Sequence, residues 1–467
     1  MKVKIGIVGY GYFSQDFVEL FHLHPDVEKL YVAELYPERR EEIKAKFPDV
    51  EVFSSYDEML QKAEDMNCVG IFTQRHLHAD MVITALKADK HVFSAVPIAC
   101  TIEDVEKIVD LVKETKLVYM MGETCYYYPD AIYCREQYKK GEFGKFQYAE
   151  AQYYHDIREM YNVFQHSGGE NWRRVAGIPP MFYPTHSIST IFPAINQYAT
   201  KVSCMGIRDD FPDDIYGEEK NDFENPFSNE TAIFRMSGGG VVRINEFRRI
   251  GINKPSTYIT CFYGEQGAYD RIADKHYFQK APYISRDGAE GEPELIDVSD
   301  KLLPHHFKDF RDGKLEKGFK ENDWDDKKSP ISVDLILGKT EMHDMERLPK
   351  AFRNRHNWHH LASHPFLVDD FVRAVVENKL PPNNAWDAAR YMIPGLVAHE
   401  SALRGGELLD IPDLGEAPEE FERLTYVKKD YYENDYGLYY WMRNDCKQRS
   451  HSCIFRKQRR FFHNRCL

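Results

Sequence analysis

The sequence lacks long apolar runs and paired cysteines. No stretch of about 18 consecutive apolar side chains occurs, so we predict no membrane-spanning helix. The nine cysteines are scattered without disulfide or metal-ligand spacing, which is typical of free thiols in a reducing compartment. The first residues, Met1 to Lys4, lead directly into an apolar strand and show no signal-peptide pattern. We therefore expect a cytoplasmic protein.

The chain is also short of positive charge. Its net charge is −14 at pH 7, and such an acidic surface repels nucleic acid and anionic lipid. We expect neither a nucleic-acid partner nor a membrane partner. The exception is residues 442–467, a basic tail with three cysteines and no periodic pattern. This tail fits either an interaction arm or an artefactual end of the reading frame. No internal repeat is present.

A strand, a glycine turn and a helix begin the chain. The apolar run at residues 3–8 ends at Gly9 and Gly11, and an amphipathic helical pattern follows. In such units the first glycine permits a tight turn, the second lets the backbone approach a pyrophosphate, and the helix N-terminus favours an anion. Glu34 ends the second strand, near the spacing at which an acid binds the adenosine ribose. This acid favours NAD over NADP, although Arg39 and Arg40 weaken the preference.

The pattern of elements predicts two domains. Residues 1–122 alternate short strands with amphipathic helices, which indicates a doubly wound parallel sheet of the Rossmann type. From residue 123 to 441 strands outnumber helices, which predicts an α+β domain with an open, mostly antiparallel sheet. Residues 264–355 are polar and poorly periodic, and we interpret them as a long insertion over that sheet. Ligands of parallel sheets bind at the carboxyl ends of the strands.

Several motifs together resemble the Gfo/Idh/MocA oxidoreductase family. They are the glycine turn, the strand-end segment Thr73 to His78, and Lys90-His91-Val92 before the Pro97 loop. The resemblance covers essentially residues 1–415. It implies a Rossmann domain with a second α/β domain on an open sheet, a bound NAD(P), and oxidation or reduction of sugars or polyols. The family's open sheet often serves as an interface, so the resemblance also implies a homo-oligomer.

The chain departs from the common family pattern at two positions. Typical members carry Glu-Lys-Pro where this chain has Ala95-Val96-Pro97, so the lysine that works with the substrate is absent. They also pair a histidine with an aspartate four residues earlier, whereas Phe182 precedes His186 here. A branch of the family, the NAD-dependent α-N-acetylgalactosaminidases, is more similar and has Tyr-Pro-Thr-His, as at residues 183–186. That branch hydrolyses glycosides through transient oxidation at C3, elimination and water addition.

The resemblance implies roles for individual residues. His186 is the candidate base, since an imidazole titrates near neutral pH. Tyr153 and Tyr183 are candidate proton carriers and substrate contacts. Arg173 is expected to anchor a substrate hydroxyl or carboxylate, and His364 to lie near the substrate. The turn and the resemblance together predict these cofactor contacts: Gly9, Gly11, Tyr12, Phe13, Glu34, Thr73, Gln74, His78, Ala95, Val96, Pro97, Glu123, Thr124, Tyr183 and His186.

Two further histidine groups carry weaker signals. The first consists of His356, His359, His360 and His364. It has His-x-x-x-His spacing, but no carboxylate joins it in a helical motif and Pro365 follows it. We therefore predict no metal site. In the second, His155 and Asp156 resemble a base with its orienting acid. Adjacent strand residues, however, point to opposite faces of a sheet.

Three functional interpretations remain. We expect an NAD(P)-dependent oxidoreductase that acts on a small-molecule sugar or glycoside by hydride transfer at a ring hydroxyl carbon. The first alternative is a redox-neutral NAD-dependent glycoside hydrolase. The second is a non-catalytic NAD- or sugar-binding protein, which the missing lysine and aspartate would explain.

Overall fold

A computed structural model describes residues 2–251, 256–272, 275–285, 287–304, 338–353 and 362–425. The basic tail at 442–467 lies outside these residues. So do His356, His359 and His360 of the predicted histidine group.

The first unit is a six-stranded parallel sheet with helices between its strands. Its strands are β1 (Val3–Val8), β2 (Val27–Ala33), β3 (Glu51–Phe53), β4 (Cys68–Ile71), β5 (His91–Ser94) and β6 (Tyr119–Met121). Its helices are α1 (Ser14–Leu23), α2 (Pro37–Lys46), α3 (Tyr56–Lys62), α4 (His78–Lys87) and α5 (Ile102–Thr115). The order β3-β2-β1-β4-β5-β6 confirms the predicted doubly wound sheet. The order reverses between β1 and β4, which is where such sheets bind ligands.

Local sequence signals position these helices. The Ser55 and Thr101 hydroxyls accept hydrogen bonds from backbone N–H groups three residues later, at 3.1 and 3.2 Å, and so cap α3 and α5. The predicted apolar face of α1 is fully buried against the sheet. Capping side chains and apolar periodicity therefore account for these helices.

The second unit is a nine-stranded sheet. Its members are β7 (Phe146–Tyr154), β8 (Ala199–Arg208), β9 (Phe227–Met236), β10 (Val241–Phe247), β11 (Ser256–Gly264), β12 (Gly267–Ile272), β13 (Lys275–Lys280), β16 (Glu294–Asp297) and β17 (Leu409–Asp410). Their order is β16-β13-β12-β11-β7-β10-β9-β8-β17. Every pairing is antiparallel except that of β7 with β10. A separate hairpin joins β14 (Tyr283–Ser285) to β15 (Gly288–Glu290). The predicted open, mostly antiparallel sheet is confirmed.

Eight further helices accompany these strands in the described ranges. They are α6 (Pro129–Lys139), α7 (Tyr161–Gly168), α8 (Trp172–Ala176), α9 (Thr185–Ile195), α10 (Ser299–Leu302), α11 (Lys350–Arg353), α12 (His364–Glu377) and α13 (Ala385–Leu403). Helices α9 and α13 pack on the inner face of the nine-stranded sheet and share its apolar core. None of the helices within the described ranges has the length and apolarity that a bilayer crossing requires.

Two predictions about chain organisation need correction. Residues 264–355 were predicted to form an insertion over the sheet, but residues 267–297 supply three of its strands. These edge strands are half exposed, which weakens the alternation that would have revealed them. Residues 123–441 were predicted to lie entirely in the second domain. Helix α12 instead returns to the parallel sheet, where Phe371 packs against Phe21 and Phe93.

Candidate active site

The turn after β1 has the shape that a pyrophosphate requires. Gly9 adopts φ +91°, and a Cβ at this position would lie 2.7 Å from the Phe72 carbonyl oxygen. A Cβ at Gly11 would meet no atom within 4 Å, so the space beside this residue is open. Ser14 replaces the third glycine of the usual motif, and its hydroxyl donates to the Gly11 carbonyl at 2.9 Å. The turn thus packs closely against Phe72 at Gly9 and leaves space beside Gly11, as the approach of a dinucleotide requires.

Glu34 lies beside this turn. Its carboxylate accepts the backbone N–H groups of Tyr10 at 2.6 Å and Tyr36 at 3.0 Å. The Arg39 guanidinium stacks on the Tyr36 ring at 4.8 Å and approaches Glu34 to 3.8 Å. An acid and an arginine therefore stand together where the adenosine ribose is expected.

His78 connects two of the predicted strand-end segments. Its Nδ1 lies 2.7 Å from the Pro97 carbonyl, and its Nε2 lies 3.1 Å from the Thr73 carbonyl. Burial lowers the pKa of His78, so the neutral ring donates one proton and binds one carbonyl at a time. The Ala95–Pro97 loop is buried and contains a cis Val96–Pro97 bond. His78 thus has a structural role in holding the loops that border the cofactor cleft.

A buried carboxylate–imidazole pair forms the centre of the site. Glu123 follows β6, His186 lies in the first turn of α9, and their Oε1 and Nδ1 atoms are 2.7 Å apart. Cys125 N–H donates to the same carboxylate oxygen at 2.9 Å. Although burial opposes ionisation, the charge and hydrogen bond of His186 lower the pKa of Glu123 overall. Because Nδ1–H donates to Glu123, the neutral ring carries its lone pair on Nε2.

Two tyrosines flank this histidine. The Tyr153 and Tyr183 rings meet the His186 ring edge-on, with centroid distances of 5.0 and 4.8 Å. The Tyr153 hydroxyl lies 2.6 Å from His155 Nδ1. Burial raises the pKa of Tyr153 above its ordinary range and that of Tyr183 to about 12, so both phenols keep their protons near pH 7. The structure brings together all three residues that the sequence predicted to be catalytic.

Polar residues on three neighbouring strands of the nine-stranded sheet anchor the segment that carries His186. Tyr153, Glu246 and Glu230 are cross-strand neighbours on β7, β10 and β9. Glu246 accepts a hydrogen bond from the Ser187 hydroxyl at 2.5 Å. Glu230 accepts the Met181 N–H at 2.8 Å and bonds His399 Nδ1 at 2.8 Å. The buried side chains of Glu230 and Glu246 therefore fix residues 181–187 to the sheet.

The carboxyl group of Glu246 gives a test of this arrangement. Burial raises its pKa to about 8, although Arg248, 2.9 Å away, opposes the shift. The folded protein therefore holds this proton to higher pH than the unfolded chain, whose Glu pKa is about 4.3, and folding stability falls as pH rises between these values. We expect Glu246→Gln to flatten the decline of the melting temperature between about pH 5 and 8. Calorimetry across this range measures the slope.

An exposed carboxylate provides the control for that measurement. Glu400→Gln, on the solvent side of α13, should leave the wild-type slope unchanged. An equally steep decline in Glu246→Gln would contradict the proposed titration of Glu246.

The described contacts of Arg173 and His364 differ from those expected beside the tyrosine pair, and their substrate roles stay predictions. Arg173 is exposed on α8, donates to the Asp213 carbonyl at 3.1 Å and stacks on Trp172. His364 begins α12, bonds Asp16 at 2.8 Å and packs on Phe17 with a centroid distance of 4.2 Å. Its described contacts are thus with α1, behind the glycine turn, and not with the tyrosine pair. The return of α12 to the parallel sheet, which the sequence pattern did not reveal, is the physical reason for this difference.

Two residues have roles that the sequence did not predict. Glu123 was predicted to contact the cofactor, whereas the structure makes it the partner of His186, 63 residues away. Its position directly after a strand of the parallel sheet was the available signal. Arg75 also enters the site, because its guanidinium lies 4.4 Å from the Tyr183 ring centroid.

The donor atoms of Glu123, Cys125 and His186 lie within 4.8 Å of one another, as in some metal sites. A thiol binds a metal as thiolate, but burial raises the pKa of Cys125 well above its ordinary value. The Glu123–His186 distance is that of a hydrogen bond. The expected absence of a metal stays a prediction, which a chelator test would check.

The two glycines of the turn should respond differently to a methyl group. Gly11→Ala adds the methyl to open space, so we expect an unchanged melting temperature without cofactor and NAD affinity about tenfold or more weaker. Gly9→Ala adds it against the Phe72 carbonyl at positive φ, so stability should also fall, by about 1–3 kcal/mol. Calorimetry without NAD and titration with NAD separate the two effects. A Gly11→Ala protein that binds NAD normally would contradict the placement of the pyrophosphate.

Comparison with known proteins agrees with this geometry. Residues 3–123 match the model of an oxidoreductase family with an NAD-binding Rossmann fold, Gfo/Idh/MocA. This part of the chain is therefore similar to the NAD-binding domain of that family. The whole architecture is also similar to that of levoglucosan dehydrogenase, solved in complex with NADH and levoglucosan, with TM-score 0.60 and 18% identity over 88% of this chain and 100% of that chain. The two units therefore share the fold of that dehydrogenase.

Several curated sequence relatives are named as glycoside hydrolases. A glycosyl hydrolase family 109 protein of Porphyromonas gingivalis is 28% identical over 37% of this chain and 37% of its own length. An α-N-acetylgalactosaminidase of Shewanella oneidensis is 29% identical over 42% of this chain and 44% of its own length. The chain thus spans about two fifths of the length of these relatives. The predicted resemblance to this Gfo/Idh/MocA branch is confirmed over the aligned part.

Proposed function

We propose that this protein is an NAD-dependent enzyme that acts on a sugar or glycoside by hydride transfer at a ring hydroxyl carbon. The observation that carries the proposal is the buried Glu123–His186 pair, flanked by Tyr153 and Tyr183, at the carboxyl edge of an NAD-binding sheet. A base of tunable pKa beside a hydride acceptor is what oxidation of a hydroxyl requires.

Each residue has a definable task in this reaction. When bound, the nicotinamide accepts the hydride that leaves the ring carbon. His186 Nε2 removes the hydroxyl proton, and the carboxylate of Glu123 stabilises the imidazolium that results. The neutral phenols of Tyr153 and Tyr183 orient the substrate oxygens by hydrogen bonds, and their rings pack against the sugar ring. The buried side chains of Glu230 and Glu246 hold this segment in place.

A redox-neutral glycoside hydrolase is the second candidate. Val96 at the position of the usual family lysine favours it, as do the names of the curated relatives. In this route the C3 ketone acidifies the C2 proton, a base removes that proton, the aglycone leaves, water adds and the hydride returns. His186 could serve as base in the first step, and either tyrosine could relay a proton.

The state of the cofactor distinguishes these candidates. We would denature the purified protein and assay the supernatant for nicotinamide cofactor. Stoichiometric NAD favours the hydrolase, because its cofactor is regenerated in every cycle, and aryl glycosides should then release aglycone without NADH. An empty protein favours the dehydrogenase, and free sugars should then generate NADH in bulk. Binding of NAD without turnover on either set of substrates would favour the non-catalytic alternative and contradict the proposal.

The choice of NAD over NADP belongs to the same proposal. The buried carboxylate of Glu34 is expected to repel a 2′-phosphate, whereas Arg39 beside it would attract one. Titration with both cofactors measures the preference. A preference for NADP would show that Arg39 outweighs Glu34.

We also propose a homo-oligomer formed through the outer face of the nine-stranded sheet. Met205, Ile207 and Ile233 on β8 and β9 are exposed there, with more than half of each side chain accessible. Such exposed apolar surface is typical of an interface. Light scattering should show that the wild-type protein is a multimer. The Ile233→Asp protein should form smaller particles, and the melting behaviour of the isolated subunit should be unchanged. A wild-type monomer would contradict the proposal.

A further inference from the structure

Arg75 brings a positive charge from the first unit to the candidate active site. It opens a short turn after β4, and its side chain is partly buried. The guanidinium lies over the Tyr183 ring at 4.4 Å and near the Phe164 ring at 5.9 Å. Both rings belong to the second unit. Arg75 therefore links the strand ends of the first unit to the tyrosine pair.

The surroundings of Arg75 differ from those of the neighbouring arginines. Acidic side chains bind four of them, in the pairs Arg158–Asp156, Arg174–Asp222, Arg248–Glu246 and Arg249–Asp213, and the exposed Arg173 donates to the Asp213 carbonyl. Of the residues that the structure describes, none gives the Arg75 guanidinium a carboxylate or a hydrogen-bond acceptor. A guanidinium has five N–H donors, and a partly buried one without an acceptor is uncommon. In a protein of net charge −14, this cation without a counter-ion stands out.

The charge of Arg75 faces the tyrosines. Burial raises the pKa of Tyr183 to about 12, and Arg75 is the largest influence in the opposite direction. Arg75 also acts to lower the pKa of Tyr153, which burial raises. Its field therefore extends over the place where the substrate is expected.

We propose that Arg75 binds the carboxylate of an acidic sugar, such as a hexuronic acid or its glycoside. The planar guanidinium fork matches a carboxylate with two parallel N–H···O bonds, and an unpaired fork in a cleft is preorganised for that contact. A phosphate group of the cofactor offers the same oxyanion chemistry. The pyrophosphate, however, is expected at Gly9 and Gly11, whereas Arg75 packs on Tyr183 and Phe164. This inference rests on the proposed function and narrows its substrate class.

Binding to the NAD-saturated protein tests this inference without relying on turnover. Calorimetric titration would compare D-glucuronate and D-galacturonate with D-glucose and D-galactose. We expect at least one uronate to bind about tenfold or more tightly than its neutral counterpart. Arg75→Gln should abolish this preference, and Arg75→Lys should retain part of it, because the charge remains without the fork. Equal binding of acidic and neutral sugars, or a preference that survives in Arg75→Gln, would overturn the proposal.

Two controls separate the alternative explanations. Arg174→Gln removes an exposed arginine of the same charge, paired with Asp222, and should leave the preference unchanged. Titration of each variant with NAD tests whether Arg75 instead binds a phosphate group of the cofactor. If Arg75→Gln weakens NAD binding about tenfold or more while the sugar preference persists, Arg75 binds a cofactor phosphate and the carboxylate assignment is wrong. A protein that binds uronates through Arg75 yet turns over no sugar would support this inference and contradict the proposed function.

Discussion

Replacing His186 with alanine should reduce turnover by about 10²- to 10⁴-fold, the range that a positioned general base contributes. The imidazole is buried, bonded to Glu123 and flanked by two tyrosines whose raised pKa values make them poor bases near pH 7. Glu123→Gln should cause a loss of similar order, because a neutral amide cannot stabilise the imidazolium or fix its tautomer. Steady-state kinetics on whichever substrate the screens identify measures both losses.

A second buried histidine gives the matched control. His276 on β13 is equally buried and bonded to the Tyr269 hydroxyl at 2.7 Å, but it lies near the edge of the nine-stranded sheet. His276→Ala should lower the melting temperature while turnover stays within a few-fold of wild type. If His186→Ala also retains turnover within a few-fold, the assignment of His186 as base is wrong.

Gly395→Ala should destabilise the protein, although the same change usually stabilises a helix. Glycine inside a helix costs about 1 kcal/mol relative to alanine, so propensity alone predicts a gain. A Cβ at Gly395, however, would lie 2.1 Å from the Met181 carbonyl oxygen and 2.4 Å from Pro184 Cγ. Helix α13 must then move from the segment that precedes His186. We expect a net loss of about 1–3 kcal/mol and lower turnover from displacement of Tyr183.

Denaturant unfolding and kinetics measure the two parts of this prediction. Gly251→Ala is the control, because an added methyl there meets no atom within 4 Å and should be nearly neutral. An increase in stability for Gly395→Ala would contradict this prediction. It would mean that the turn at residues 181–184 shifts at little energetic cost, and that the close approach of α13 does not hold Tyr183 in place.

Local signals in the sequence predicted much of the fold and the centre of the site. The glycine turn, the helix caps and the helical periodicity each act within a few residues, so they can be recognised without tertiary structure. The cluster of Tyr153, Tyr183 and His186 was inferred from a resemblance carried by the short motif at residues 183–186. The structure brings these three side chains together because the motif lies at the start of α9, whose position the fold determines, and their chemical roles stay predictions.

Other features depend on contacts between distant residues. The Glu123–His186 pair joins residues 63 apart, and Arg75 reaches Tyr183 across more than 100 positions of sequence. Neither pair has a spacing that a pattern could reveal. The edge strands β12, β13 and β16 are half exposed, so their alternation was too weak to separate them from a loop. The contacts of His364 with α1 could not be predicted for a related reason, since a motif match gives no information on which sheet a helix packs against.

The return of α12 to the parallel sheet means that the first unit is built from two separate stretches of the chain. A single cut between residues 304 and 338 would therefore leave two fragments held together by the packing of Phe371 on Phe21 and Phe93. Such a nicked protein should migrate as one particle under native conditions and separate only in denaturant. A fragment that ends at residue 122 would lack α12, expose the apolar side of α1 and tend to aggregate. The cofactor-binding half is thus completed only after nearly the whole described chain has been synthesised.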